Sequence, residues 1–199
     1  MTLLELFNAA RKRSDVSPDV TQRDQATGKA TVTVSPQVEV AEATNHDTHW
    51  TITKYADQDA FERGEAYAVE ELDGNVLLNE GINAVWTLAA GGSETAFNNA
   101  NARLGVGDST TAEAASQTGL QAATNFLYKA MDSGYPTYGT AQQIVFRSTF
   151  TGSEANFAWN EFSVDNGNTA NKNLNRRQSG QGTKQASQVW QLTLTVTLS

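Results

Sequence analysis

The stretch QVWQLTLTVTLS, residues 188–199, decides the fold. In it Trp190, Leu192, Leu194, Val196 and Leu198 alternate with Gln191, Thr193, Thr195, Thr197 and Ser199. A period of two puts all five apolar side chains on one side of an extended chain, whereas a helix would scatter them around its axis. The β-branched threonines and valine also suit a pleated strand. The spacing therefore predicts a half-buried strand, with Trp190, Leu192, Leu194, Val196 and Leu198 facing a core and the threonines facing away from it. One strand is not stable alone, so a sheet and a covering layer must come from the rest of the chain.

Working outward, the same signal recurs. ATVTV (30–34), QVEVA (37–41), HWTITKY (49–55), AYAVEEL (66–72), ARLGVG (102–107), NFLYKAM (125–131), QQIVFRSTF (142–150) and NFAWNEFSV (156–164) all read as strands. Between them stand turn formers: Asp73-Gly74, DSG, TGSEA and DNGN. NEGINAVWTLAAGG (79–92) is the one convincing helix beyond the N-terminus, with Ile82, Val85, Trp86 and Ala89 on one face and Gly91 and Gly92 ending it. Many short strands, no βαβ rhythm and one short internal helix predict a mainly β chain, an antiparallel β-sandwich of jelly-roll-like kind. No long internal repeat, heptad array or Gly-X-Y tract accompanies them, which excludes a coiled-coil or collagen-like shaft.

The N-terminal end reads differently. Residues 1–13 have Leu3, Leu4, Phe7 and Ala10 at helical spacing and Arg11, Lys12 and Arg13 where positive charge suits a helix C-terminus. Residues 14–29 are polar and turn-rich, as an extended arm would be. The chain thus divides into a helix and arm, 1–29, and a β-sandwich domain, 30–199. So short a helix needs a surface to pack on. Two surfaces remain open: its own domain, or a neighbouring subunit. On the second, Leu3, Leu4, Leu6 and Phe7 would be the buried contacts, and Arg11, Lys12 and Arg13 would meet acidic surface.

Composition narrows the function. The 199 residues suit one well-buried domain and an arm. No cysteine is present, so disulfides, thiolate catalysis and cysteine-ligated metals are excluded. No window of about 18 apolar residues exists, and the N-terminal charges follow the apolar residues, the reverse of a secretory signal. Neither a membrane partner nor export through such a signal is expected. The net charge is -8; residues 14–100 carry 15 acids against four Lys or Arg, and residues 101–199 six against seven. Such a balance argues against direct nucleic-acid binding, which needs a basic surface.

Each candidate for chemistry has an ordinary alternative. Gly105 and Gly107, followed by Asp108 and hydroxylated residues, suggest a phosphate loop, but the Lys-Ser/Thr of a P-loop and the third glycine of a dinucleotide turn are both missing. His46, Asp47 and His49 could begin a metal site, yet these are the only two histidines and no third strong ligand is evident. Asp57, Asp59 and Glu62 lack EF-hand spacing and read as a solvated acidic face. Glu154 and Glu161 near Phe157, Trp159 and Phe162 could form a sugar platform with paired carboxylates, although a core tryptophan explains the aromatics as well. No G-x-S-x-G elbow is present. No catalytic residue, metal or cofactor is expected.

Taken together, NVLLNEGINAVWTLAAGG (75–92), NNANARLGVGDSTTAEAASQTGLQ (98–121), NFLYKAMDSGYP (125–136), IVFRSTFTGSEANFAWNEFSVDNG (144–167), NLNRR (173–177) and GTKQASQVWQLTLTVTLS (182–199) resemble, in consistent order, virion structural proteins of tailed bacteriophages. Fibre-like variants have Glu-Ile-Gly-Leu where this chain has Glu161-Phe162-Ser163-Val164. The resemblance implies a non-enzymatic, oligomeric β-rich assembly subunit located in the virion and assembled in the host bacterial cytoplasm. A capsid decoration or head-accessory protein fits the short, shaft-free chain, with the major capsid protein or collar and tail subunits as partners. A tail, collar or fibre-adaptor component is the alternative, and a carbohydrate-binding or hydrolytic sandwich the alternative of another class. The resemblance also implies that Gly105 and Gly107 let a strand turn out into a polar loop.

Overall fold

The computed structural model describes residues 46–167 and 171–199. The expected helix at 1–13, the arm, the strands at 30–34 and 37–41, the domain boundary at 30 and the interface side chains from Leu3 to Arg13 lie outside the described residues. Along the described chain come β1 (His46–Tyr55), α1 (Gln58–Arg63), β2 (Ala68–Asp73), β3 (Val76–Leu77), α2 (Asn79–Ala89), β4 (Arg103–Gly107), β5 (Phe126–Ala130), β6 (Thr137–Thr140), β7 (Gln143–Phe150), β8 (Glu161–Asp165), β9 (Asn173–Gln178) and β10 (Val189–Leu198). Two five-stranded antiparallel sheets form, in the orders β2-β1-β10-β7-β6 and β3-β9-β8-β4-β5. They pack together as a β-sandwich, as the alternation of residues 188–199 predicts.

β10 is the middle strand of its sheet, and its alternation is the sheet's inner face. Leu194 lies between Trp50 of β1 and Phe146 of β7; Leu192 lies between Ile52 and Ser148. Trp190, Leu192, Leu194 and Val196 are buried, and Thr193, Thr195 and Thr197 are half-buried on the outer face. Leu198 departs from the expectation. It pairs with His46 at the end of the strand and is 55% exposed, so alternation assigns its side of the sheet but not its cover.

The second sheet sends Leu104, Val106, Phe162 and Val164 into the same core. Trp159 is the hub, with its ring centroid 4.9 Å from those of Phe150 and Trp190 and 6.3 Å from Phe162. Its indole N–H donates to the Ala155 carbonyl at 3.0 Å, which removes the cost of burying that polar group. The strand expected over 156–164 begins only at Glu161. Ala155 takes a left-handed φ of 49°, and residues 157–160 bond irregularly to 179–184 instead.

Three strands carry no clear apolar alternation and were not anticipated: β3, β6 and β9. β9, NLNRRQ, is informative because its polar residues are largely buried. Arg176 and Gln178 pair with Ser163 and Glu161 on the outer side of the sheet, where a second, polar layer lies, whereas Asn175 pairs with Val164 of the core face. α1 is also unanticipated; its apolar content is too short for a stripe, but Asp57 caps its N-terminus and Gly64 ends it at φ 70°.

α2 forms where expected, with the opposite face inward. Gly81 and Ala84 are its buried residues. A Cβ on Gly81 would stand 2.3 Å from the Leu174 Cα, so the bare backbone allows the helix to lie directly on β9. The apolar face identified by the spacing is turned outward: Val85 is 40% and Trp86 62% exposed, Ala89 is exposed, and Ile82 is half-buried. Close backbone approach through small residues outweighs burial of the larger side chains.

Candidate functional site

The segment between β4 and β5, residues 108–125, lies over the outer face of the β3-β9-β8-β4-β5 sheet, where its groups meet a buried row from β8 and β9. Gly107 pairs with Glu161, Gly105 with Ser163, and Ser163 in turn with Arg176. Gly105 and Gly107 are buried residues of β4, within the strand expected over 102–107, and the polar loop follows Gly107. A Cβ on Gly105 would meet the Tyr128 ring at 2.4 Å, and one on Gly107 would meet Glu161 Oε1 at 2.4 Å. Their missing side chains make room for the polar layer.

Glu161 and Arg176 are both fully buried there, with Arg176 Nη2 at 2.7 Å from Glu161 Oε2. The carboxylate also accepts backbone N–H bonds at 2.8 Å from Gln121 and from Ala122. Arg176 spends its remaining donors on the Thr111 carbonyl at 2.9 Å and Gln117 Oε1 at 3.1 Å. Glu113 reaches from the segment to the Gln178 backbone N–H. Tyr128 donates to Asn173 Oδ1 at 2.6 Å and accepts from the Leu120 N–H, and burial pushes its phenol well above the ordinary range. An anion does sit beside Gly107, held by the Gln121 and Ala122 N–H groups and Arg176. That anion is the protein's own carboxylate, and the arrangement fastens an 18-residue connection that has no helix or strand of its own.

The other candidate residues are likewise placed by the fold. Alternation along β1 puts His46 on its inner side and His49 on its outer side. His49 Nδ1 lies 2.8 Å from Asp73 Oδ1, while burial lowers the His46 pKa, opposed by the Asp47 charge. Among the described residues no three His, Asp or Glu side chains converge as metal ligands. Asp57 caps α1 by accepting the Ala60 N–H at 2.8 Å, and Glu62 accepts from Gln58 at 3.0 Å; both acids are exposed, as is Asp59.

The candidate sugar platform is largely inside the fold: Phe162 is fully buried, and Phe157 and Glu154 are half-buried. Trp159 and Glu161 are both 0% exposed. Glu154 is held apart from them, paired with Lys129 and accepting from the Thr151 N–H at 2.9 Å. The carboxylates do not face each other across a cleft, so the two-carboxylate arrangement of a glycosidase is absent from these residues.

Some large apolar side chains remain exposed, among them Tyr138 at 73% and Trp86 at 62%. Of the four tryptophans, Trp50, Trp159 and Trp190 are at most 2% exposed and Trp86 alone stands out, on α2 beside Val85. Residue spacing identifies that stripe; only the packing of Gly81 on β9 turns it outward. No protein-family model, curated protein or solved structure matches the chain.

Proposed function

We propose that the chain is a non-enzymatic structural subunit of a tailed-bacteriophage virion, a capsid decoration or head-accessory protein that attaches to neighbouring subunits. The observation that carries the assembly reading is the contrast between spent polar groups and an unspent apolar helix face. Glu161, Arg176, Glu154 and Asp57 are engaged inside the fold or in local caps. Ile82, Val85, Trp86 and Ala89 instead present apolar surface on a helix held by backbone packing, as a contact between subunits requires. The virion and the head enter through the sequence blocks spread over residues 75–199, and a tail, collar or fibre-adaptor part is the variant within the same class.

Quantitative mass spectrometry of purified particles tests the reading by counting this chain against the major capsid protein. A copy number comparable to the capsid subunits supports decoration of the head. A few copies per particle point to a collar or tail part, and absence from the particle overturns the proposal.

A further inference from the structure

We infer that Lys184 and Asn156 are the two halves of an isopeptide cross-link, which the folded chain forms between the lysine amine and the asparagine side-chain amide. The inference is independent of the assembly reading and begins with a contact. Lys184 Nζ lies 2.9 Å from Asn156 Oδ1, and the amide carbon stands one C=O bond, about 1.2 Å, beyond that oxygen. Nζ also donates to the Thr151 carbonyl at 2.7 Å and the Glu154 carbonyl at 3.0 Å, which hold the amine against the amide. The amide is fixed from its other end, where Asn156 Nδ2 donates to the Gly152 carbonyl at 2.9 Å. The two residues are 28 positions apart, so only the fold brings them together, and holding reactants in this way makes their reaction an intramolecular step. The other buried lysine among the described residues, Lys54, meets the Gln181 backbone carbonyl and the Glu70 carboxylate and has no side-chain amide to attack.

Burial divides the roles. Lys184 is 1% exposed, whereas Asn156 is exposed. Removal from water favours the neutral amine, the form with a lone pair to donate. Burial brings the Lys184 pKa down to about 8, partly offset by the charge of Glu154, which is itself paired with Lys129. The lone pair of the neutral amine forms the N–C bond at Asn156 Cγ, the Cγ–Nδ2 bond breaks, and a proton shed by the attacking nitrogen passes to Nδ2. Ammonia leaves into solvent on the exposed side, and no oxidant, reductant or further reactant is consumed. Lys184 is the one donor to Oδ1 among the described residues, so no pair of N–H groups stabilises the oxyanion and the step is slow, on the order of days. The product ties together two crossings of the sandwich. Residues 151–160 lead from β7 to β8 and residues 179–188 from β9 to β10, and both pass from one sheet to the other.

Intact-mass spectrometry of the full chain reads the bond directly, in samples held folded at about pH 9 and about pH 6 for roughly a week. At the higher pH a loss of about 17 Da, the mass of ammonia, is expected, together with a branched peptide joining the segments around Asn156 and Lys184 after digestion. At the lower pH conversion should be at least about tenfold slower, because two pH units below its pKa only about one amine in a hundred is neutral. Asn156→Ala truncates an exposed side chain and should abolish the loss of mass, as should Lys184→Arg. The cross-linked chain should unfold at a higher urea concentration than the uncross-linked chain, since the bond restricts the unfolded state.

A wild-type mass that stays at the value given by the sequence overturns the inference, while the particle count still decides the assembly reading. A gain of about 1 Da at Asn156 overturns it too, because water and not the amine has then reached the amide. So does a loss of ammonia that Asn156→Ala and Lys184→Arg both retain, which places the chemistry at another residue.

Discussion

Replacing Glu161 by glutamine tests whether the buried polar layer holds the 108–125 segment on the sheet. The substitution is nearly isosteric, so it makes no cavity and changes only charge and hydrogen bonding. In the wild type the carboxylate accepts from Gln121 N–H, Ala122 N–H and Arg176 at 2.8 Å each. An amide presents one oxygen and one NH₂ to a ring of donors, so at least one donor faces a donor. The Arg176 guanidinium, at 0% exposure, loses its counter-charge. Removing one partner of a buried ion pair costs about 3–5 kcal/mol, which is a large part of the roughly 5–15 kcal/mol that holds a domain together. Urea unfolding should show this loss with an unchanged m value, and the Gln121 and Ala122 amides should exchange hydrogen faster than in the wild type. Glu161→Leu combined with Arg176→Met removes both charges and should be less destabilising than Glu161→Gln alone. A loss below about 1 kcal/mol with unchanged exchange at both amides would refute the reasoning, because a buried arginine cannot be left unpaired so cheaply.

Leu194→Ala should cost about 2–5 kcal/mol in denaturant unfolding, as a large-to-small change at full burial, and Thr195→Ala on the outer face much less; equal losses would contradict the register of β10. Gly105→Ala and Gly107→Ala should each destabilise by about 1–3 kcal/mol through overpacking against Tyr128 and Glu161, and neutral outcomes would mean the layer above β4 is loosely seated. Lys184 is buried, donates to the Thr151 and Glu154 carbonyls at 2.7 and 3.0 Å, and has its pKa lowered to about 8 by burial, partly offset by the Glu154 charge. Between about pH 8 and the unfolded value near 10.4 the unfolded chain binds more protons than the folded one, so this group's contribution to stability rises with pH. The stability difference between wild type and Lys184→Met should therefore move in favour of the wild type as pH increases from 8 to 10, and a flat or opposite trend in paired urea titrations would show that the ammonium is not disfavoured by the fold.

The sandwich was legible in the sequence wherever a strand has one face in the core and one outside. β10, β1 and β7 have that arrangement, and their alternation of apolar and polar residues is the direct record of it. β8 is buried along its whole length and β9 along much of it, because one face meets the core and the other meets the polar layer. With both faces covered, polarity no longer marks which side is inside, so β9 gives no strand signal and Glu161 reads as a candidate cleft carboxylate. The same layer changes the meaning of Gly105 and Gly107: spacing shows two glycines, but only the position of Tyr128 and Glu161 above them shows that they are needed for close approach and not for a turn.

α2 divides along the same line. Local sequence determined that residues 79–89 form a helix and that Ile82, Val85, Trp86 and Ala89 share a face, since both follow from 3.6 residues per turn. Tertiary structure decided which face is buried. Contact with β9 is made by backbone at Gly81 and Leu174, and that approach is open only to the face with no side chain in the way. Hydrophobic periodicity ranks faces by side-chain size, whereas packing ranks them by fit, and here the two orders are opposed.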